Sequence, residues 1–157
     1  MLQLVLSLIF ISSAVYGQSC PNGYIRHDKS CYAVVTNPTA TWPHAQAYCD
    51  GANGHLVTFE TEAERSYVHN YIQNRFGPTN KYYWIGGVNY IDGSWVWMNN
   101  LTAVNLNWAT GEPTRNSNEH CLLMVATEFG KYADNTCEDV SSQDTNHHPY
   151  VCEKEVS

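Results

Sequence analysis

The chain has 157 residues, with 15 acidic and 8 basic side chains and a net charge of −7. This length suits one domain and not two. The acidic balance argues against a nucleic-acid-binding protein, which needs a basic face to displace counterions from phosphate. It is compatible with calcium binding, because hard cations prefer carboxylate and carbonyl oxygens. An acidic surface that only keeps a secreted protein soluble would give the same charge.

The first 17 residues predict a signal peptide. Residues 1–10 read MLQLVLSLIF, and Val15 and Gly17 stand at the minus-three and minus-one positions of a cleavage site. A membrane anchor is the alternative, but the apolar run is shorter than the roughly 20 residues that span a bilayer. We therefore expect a secreted mature domain, residues 18–157, that does not insert into membranes.

The mature part contains all six cysteines of the chain. They are Cys20, Cys31, Cys49, Cys121, Cys137 and Cys152. An even count in an oxidising compartment predicts three disulfides, although spacing alone leaves about 15 pairings open. A zinc site would need close Cys-x-x-Cys pairs, and the sequence has none.

The first half of the mature chain predicts a short hairpin followed by two helices. The first helix begins at Thr41, with Pro43 tolerated in its first turn. The second begins at Thr61, where Thr61 and Glu64 fit a capping box, and ends at Gly77. The apolar face of the second helix consists of Ala63, Tyr67, Val68, Tyr71 and Ile72.

The second half predicts strands at residues 83–88, 94–98, 120–125 and 150–153. Between Asn99 and Glu119 the chain is rich in Asn, Thr, Gly and Pro, which predicts a long irregular loop of the kind that is often functional. Helices first and strands later indicate an α+β fold. The aromatic side chains Trp84, Trp95, Trp97 and Trp108 are expected in the core, although Trp108 could instead line a binding site.

Four stretches, in the same order along the chain, resemble the C-type lectin domain family. They are Trp84-Ile85-Gly86-Gly87, Asn107-Trp108-Ala109-Thr110-Gly111-Glu112-Pro113, Glu119-His120-Cys121 and Tyr150-Val151-Cys152-Glu153-Lys154. The short form with an extra amino-terminal cysteine pair is similar to the perlucin-like lectins of molluscs. The resemblance implies two helices with antiparallel sheets and a long binding loop. It also implies the disulfides Cys20–Cys31, Cys49–Cys152 and Cys121–Cys137.

The resemblance further implies a calcium site on the long loop and the following strand. Its ligands here would be Glu112, Glu119 and Asp134, and the bond before Pro113 would be cis. The same cluster would bind sugar through Glu112, Thr114, Glu119, Asp134 and Asn135. Two positions depart from the family pattern, because Thr114 replaces an Asn or Asp and Ala133 replaces an Asn. Three of five side-chain ligands therefore remain, and Asn135 lies close enough in sequence to replace one of the two that are missing.

The function implied is calcium-dependent binding of mannose-type glycans, since an acid and not a glutamine precedes Pro113. Recognition of microbial glycans would suit such a protein, and several domains acting together would strengthen weak binding. The alternative is a calcium-independent relative that binds protein or mineral through a degenerate site. A glycosidase using Glu112, Glu119 and Asp134 is disfavoured because so small a chain has little room for an enclosed cleft. The sequon Asn100-Leu101-Thr102 predicts glycosylation at Asn100, and His147-His148 is interpreted as loop surface.

Overall fold

The computed structural model describes residues 19–138 and 146–156. The predicted signal peptide, residues 1–17, lies outside the described residues. Two α-helices are present in the described ranges, α1 (Trp42–Gly51) and α2 (Glu62–Phe76). The strands are β1 (Ile25–His27), β2 (Ser30–Ala40), β3 (His55–Leu56), β4 (Tyr82–Val88), β5 (Val96–Trp97), β6 (Cys121–Val125), β7 (Lys131–Asn135) and β8 (His148–Glu155). The predicted α+β fold with two helices is confirmed.

All the strands of the described residues belong to one sheet, in the order β1-β2-β8-β4-β6-β7, with β3 paired to β8 and β5 to β4. Most of the strand pairs are antiparallel, as predicted, and the sheet is mixed because β4 and β8 run parallel where Trp84 faces Tyr150. The last strand, β8, lies between β2 and β4 and is antiparallel to β2. Because β8 runs antiparallel to β2, it runs in the same direction as its other neighbour, β4.

The two helices begin where threonine hydroxyls predict them. Thr41 is the N-cap of α1, with proline in the first turn, and Thr61 is the N-cap of α2. The Thr61 hydroxyl accepts a hydrogen bond from the Glu64 amide at 3.2 Å. The Glu64 carboxylate does not complete the capping box, because it accepts from the amide of Glu60 and from the hydroxyl of Tyr32. Among the residues that the structure describes, no helix has the length and apolar composition that crossing a bilayer requires.

The predicted apolar face of α2 is only partly right. Val68 and Ile72 are fully buried, but Ala63 is exposed. Three polar side chains are buried on this helix, namely Glu64, Arg65 and His69. Each has a hydrogen-bond partner outside the helix, namely the Tyr32 hydroxyl, the Phe129 carbonyl and the Ala126 carbonyl. Hydrogen-bonded polar groups can be buried at little cost, which explains how the helix presents them to the core.

The three disulfides join Cys20 to Cys31, Cys49 to Cys152 and Cys121 to Cys137, as the resemblance implies. The second of these connects α1 to β8 across 103 residues of sequence. Of the tryptophans, Trp84 and Trp97 are buried in the core, as predicted. Trp95 and Trp108 lie at its margin, partly buried, with their rings edge to face at 5.6 Å between centroids.

Candidate functional site

A cavity of about 210 Å³ lies between the end of the long loop, β7 and the start of β8. Its lining includes every side chain that the sequence predicts for sugar binding. These are Glu112, Thr114, Glu119, Asp134 and Asn135. The fold therefore brings two separate stretches of sequence to one place.

Backbone hydrogen bonds attach the long loop to β7. The Tyr132 amide donates to the Asn107 carbonyl, and the Ala109 amide donates to the Tyr132 carbonyl, both at 2.8 Å. The stretch around Trp108 thus pairs with the edge of the sheet beside Tyr132. This strand was not predicted, because five residues with polar ends give a weak sequence signal for a strand.

A tight turn then directs the loop toward the far end of β7. Gly111 adopts φ +87°, a conformation that favours glycine, and the Glu112 amide donates to the Ala109 carbonyl at 3.1 Å. The Glu112–Pro113 bond is cis, as the resemblance implies. One residue later, the Thr114 amide donates to Oδ1 of Asp134 at 2.9 Å. This bond connects the loop directly to an acidic side chain of the strand.

Glu112 carries the most perturbed charge of the cavity. Its Oε2 atom is buried and has no hydrogen-bond partner. Burial, contact with the Asp134 carboxylate and the charge of Glu119 raise the pKa of Glu112 to about 7, against a smaller lowering by Lys81. Clustered carboxylates of this kind repel one another unless protons or a cation neutralise them.

Thr114 connects the other two acids. Its hydroxyl donates to Oε2 of Glu119, while its amide serves Asp134. The side-chain amide of Asn116 lies 3.4 Å from the other oxygen of Glu119. The threonine therefore supplies internal hydrogen bonds at the position where the family pattern has an Asn or Asp.

Ala133 and Asn135 lie on either side of Asp134 at the cavity. Ala133 is buried and brings no side-chain oxygen. Oδ1 of Asn135 accepts from the Thr136 amide at 2.8 Å, and its Nδ2 lies 3.4 Å from Nε2 of His148. Asn135 thus lines the cavity with an amide that is partly engaged by its neighbours.

Three lining residues were not predicted for the site, Tyr82, Leu123 and His148. The interpretation of His148 as loop surface is wrong, because it begins β8 and is half-buried beside the rings of Tyr82 and Trp84. Burial, together with the neighbouring His147, lowers the pKa of His148. The sequence Tyr150-Val151-Cys152 predicts a strand, and β8 contains it. The strand begins earlier, at His148, which was not predicted because a proline at position 149 is unusual inside a strand.

Calcium takes roughly 6 to 8 oxygen ligands, more than the acidic side chains of this cavity supply. Across residues 19–138 and 146–156, no three His, Cys, Asp or Glu side chains converge closely enough to hold a metal ion. Glu112, Glu119 and Asp134 nevertheless line one cavity. The unpartnered oxygen of Glu112 can accept either a proton or a cation, and either one would relieve the repulsion among the three acids. These three acids supply only part of the oxygen set of calcium, so an ion held here would need water or ligand hydroxyls to complete its coordination.

Two further features surround the cavity. The Cys121–Cys137 disulfide joins the first residue of β6 to the segment just after β7, which holds the two strands together behind Asp134. The sequon residue Asn100 is exposed, and its Oδ1 accepts from the amide and the hydroxyl of Thr102 at 2.9 and 2.6 Å. Asn100 is therefore accessible for modification, away from the cavity lining.

Comparison with known proteins relates this chain to C-type lectin domains. The C-type lectin domain model matches residues 38–154. Regenerating islet-derived protein 3-beta of Mus musculus is 31% identical over 168 aligned positions, covering 95% of this chain and 91% of the relative. E-selectin of Sus scrofa is 36% identical over 113 residues, covering 68% of this chain and only 22% of the relative.

Among solved structures, the carbohydrate-recognition domain of cow CD23, crystallised in the presence of a GlcNAc2Man3 oligosaccharide, superposes with a TM-score of 0.72. It is 25% identical, and the match covers 89% of this chain and 98% of that domain. The matched family is a carbohydrate-binding domain family and not an enzyme family. The family model covers most of the chain, the disulfides pair in the family pattern, and the long loop meets β7 at an acidic cavity. The chain belongs to the C-type lectin domain family.

Proposed function

We propose that the protein is a secreted, single-domain, perlucin-like lectin that binds carbohydrate with the help of calcium at the acidic cavity. The observation that carries this proposal is the Glu112 carboxylate. One of its oxygens is buried without a partner, next to Asp134 and Glu119. A carboxylate held in this way is stabilised by a cation and destabilised without one. Its placement at the mouth of a small cavity suits a ligand that approaches from solvent.

The three acidic side chains share one role in the proposed site. Glu112, Glu119 and Asp134 would hold the calcium ion, and the ion supplies open coordination positions for two neighbouring sugar hydroxyls. A carboxylate can accept a hydrogen bond from the same hydroxyl that approaches the ion. Thr114 keeps Glu119 and Asp134 in place through its hydroxyl and its amide. Asn135, at the end of β7, would contribute its side-chain amide to the bound sugar.

The sugar class we propose is mannose-type. Glu112 before Pro113 accepts hydrogen bonds where a galactose-type glutamine would also donate them. The CD23 domain, which resembles this chain and was crystallised with a mannose-containing oligosaccharide, supports a glycan of that class. Thr114 and Ala133 leave fewer donors than the family pattern has. We therefore propose low affinity per domain, with multivalent binding to microbial glycans by a homo-oligomer.

A calcium titration tests the proposal. Calcium should raise the melting temperature, because a ligand bound only by the folded state stabilises it, and mannose should add a further rise. Glu119→Gln should reduce the calcium-dependent rise, whereas the matched control Glu155→Gln, at an exposed position of β8, should retain it. The absence of any rise at millimolar calcium would contradict the calcium part of the proposal.

A calcium-independent function in binding protein or mineral is the second candidate. It is favoured by the two hydrogen bonds of Thr114, which satisfy Glu119 and Asp134 within the protein. It is also favoured by Ala133, which removes an oxygen ligand. If mannose or another ligand binds equally well with and without a calcium chelator, this second candidate replaces the first.

A further inference from the structure

A second cavity, of about 220 Å³, lies between the start of α2 and the long loop. We name it the loop cleft and define it by Phe59, Glu60, Asn105, Leu106, Asn107 and Tyr132. It lies beside Tyr132 on β7, whereas the candidate functional site lies beside Asp134 and Asn135 on the same strand. The two cavities share no lining residue.

The loop cleft contains polar groups that the protein leaves unpaired. Tyr132 is only 2% exposed and lines the cleft, and its hydroxyl forms no hydrogen bond with any described residue. The side-chain amides of Asn105 and Asn107 also have no hydrogen-bond partner in the described ranges. The Tyr132 hydroxyl is not among the buried polar atoms without a partner, so it reaches solvent at the cleft, and Asn105 and Asn107 are exposed. A ligand hydroxyl can therefore replace water at these three groups.

Thr61, Glu62 and Arg65 also line the cleft, and its charged side chains disfavour anionic ligands. The Arg65 guanidinium is engaged by the Glu62 carboxylate and by the Phe129 carbonyl, which leaves it little capacity to bind an anion. The Glu60 carboxylate accepts from the Thr58 hydroxyl at 3.2 Å through one oxygen. An anionic ligand would therefore meet an acceptor and not a free cation. Neutral donors and acceptors dominate the remaining surface.

The size and shape of the cleft fit one sugar ring. Its volume equals that of about seven water molecules at roughly 30 Å³ each. Leu106, which is 40% exposed, provides apolar surface for the C–H face of a ring, whereas the nearly buried Phe59 adds little. Amides, a hydroxyl and a carboxylate can together serve sugar hydroxyls, which both donate and accept.

We infer that the loop cleft binds one ring of a neutral saccharide, without calcium, as a second binding site. This goes beyond the proposed function, which concerns the acidic cavity and its cation. A two-site domain could contact a branched or extended glycan at two points, and each site would raise the effective concentration of the other.

Amide NMR of the mature protein in excess chelator tests the inference. The probes are glucose, galactose, mannose and N-acetylglucosamine, each titrated separately into the millimolar range. At least one should shift the backbone amides of residues 105–107 and Tyr132. Tyr132→Phe and Asn105→Ala should each weaken binding by about threefold to tenfold, the effect of one lost hydrogen bond.

Asn74→Ala is the matched control, because Asn74 is an exposed asparagine of α2 outside the cleft. It should bind as the unmodified protein does, and so should Glu119→Gln, which separates this test from the calcium proposal. Asn105→Ala changes an exposed side chain and keeps the inference testable if Tyr132→Phe lowers stability. The inference is overturned if none of the sugars shifts the cleft amides. It is also overturned if the cleft variants bind as tightly as Asn74→Ala.

Discussion

Glu64 of α2 and Glu112 of the long loop are both glutamates whose pKa is raised to about 7 by burial, yet their surroundings differ. Both oxygens of Glu64 accept hydrogen bonds, one from the Tyr32 hydroxyl and one from the Glu60 amide. Glu112 has one buried oxygen without any partner. A glutamate thus has a structural role on α2, whereas the glutamate of the loop keeps one oxygen without a hydrogen-bond partner.

The difference shows how a raised pKa can be interpreted. Near Glu64, the interior supplies hydrogen bonds that make the carboxylate part of the framework, and Glu153 of β8 adds a second buried acid held by Thr58. Near Glu112, the neighbours are two further acids that share one cavity. A raised pKa alone therefore does not mark a binding site, because Glu64 shares it with Glu112 but forms its hydrogen bonds within the protein.

Removing the framework acid gives the largest expected effect. Glu64→Ala leaves the buried Tyr32 hydroxyl and the Glu60 amide without their acceptor, so we expect a loss of about 2 to 4 kcal/mol in the free energy of unfolding. Chemical denaturation measures it. The exposed control Glu155→Ala should change stability by less than about 0.5 kcal/mol. Equal effects of the two substitutions would show that Glu64 is not part of the framework.

The pH dependence of stability should follow from the same residue. The folded-state pKa of Glu64, about 7, lies above its ordinary value of 4.5, so the folded state binds the proton more tightly. The stabilisation is complete below the ordinary value and is lost as the pH rises through about 7. We expect this residue to lower the free energy of unfolding by about 2 to 3 kcal/mol between about pH 5 and about pH 8.

Two glutamine variants check the sign. Glu64→Gln should flatten the pH dependence, because its side chain no longer titrates, while Glu155→Gln should leave the profile unchanged. A profile for Glu64→Gln that follows the unmodified protein would assign the dependence to other groups, such as Glu153, whose pKa burial also raises.

The two regions also differ in how well the sequence predicted them. The start of α2 at Thr61 was predictable because a hydroxyl before a helix satisfies a free amide, whereas Thr41 begins α1 without a side-chain cap hydrogen bond. The disulfide pairings followed from the resemblance, since spacing alone leaves about 15 possibilities. The partner of Glu64 was not predictable, because Tyr32 lies 32 residues away and no local rule connects them. Tertiary contacts turned a capping residue into an interior one.

In the loop, residue identity was easier to predict than position. Glu112, Glu119 and Asp134 were expected together and line one cavity. The short strand β7 was missed, although it positions Asp134 and anchors the loop through Tyr132. His148 was placed on the surface because the sequence gives no sign that β8 extends past Pro149 toward the cavity. Both errors concern long-range strand pairing, which local sequence patterns do not encode.

Neutralising the loop acid should have the opposite sign to removing the framework acid. Without calcium, Glu112→Gln removes a partly buried charge beside two other acids, so we expect a gain of about 1 kcal/mol in the free energy of unfolding near pH 8. Calcium should then stabilise this variant less than the unmodified protein. Melting temperatures in chelator and in calcium measure both effects. A loss of stability in chelator would mean that Glu112 already has its partners within the fold.

The smallest expected effect concerns sugar affinity. Thr114→Asn together with Ala133→Asn restores the amides that the family pattern has at the cavity, and each can add a hydrogen bond to a bound sugar or an oxygen to the ion. We expect about threefold stronger binding of mannose in calcium, equivalent to roughly one additional hydrogen bond. Ala133 is buried, so Thr114→Asn alone serves as the variant that spares the core. A glycan array and a mannose titration measure the change. Mannose binding that is unchanged in both variants would contradict binding of mannose at this cavity. A preference of the unmodified protein for galactose would contradict the proposed sugar class. In either case Glu112 would remain an unsatisfied acid without the proposed ligand.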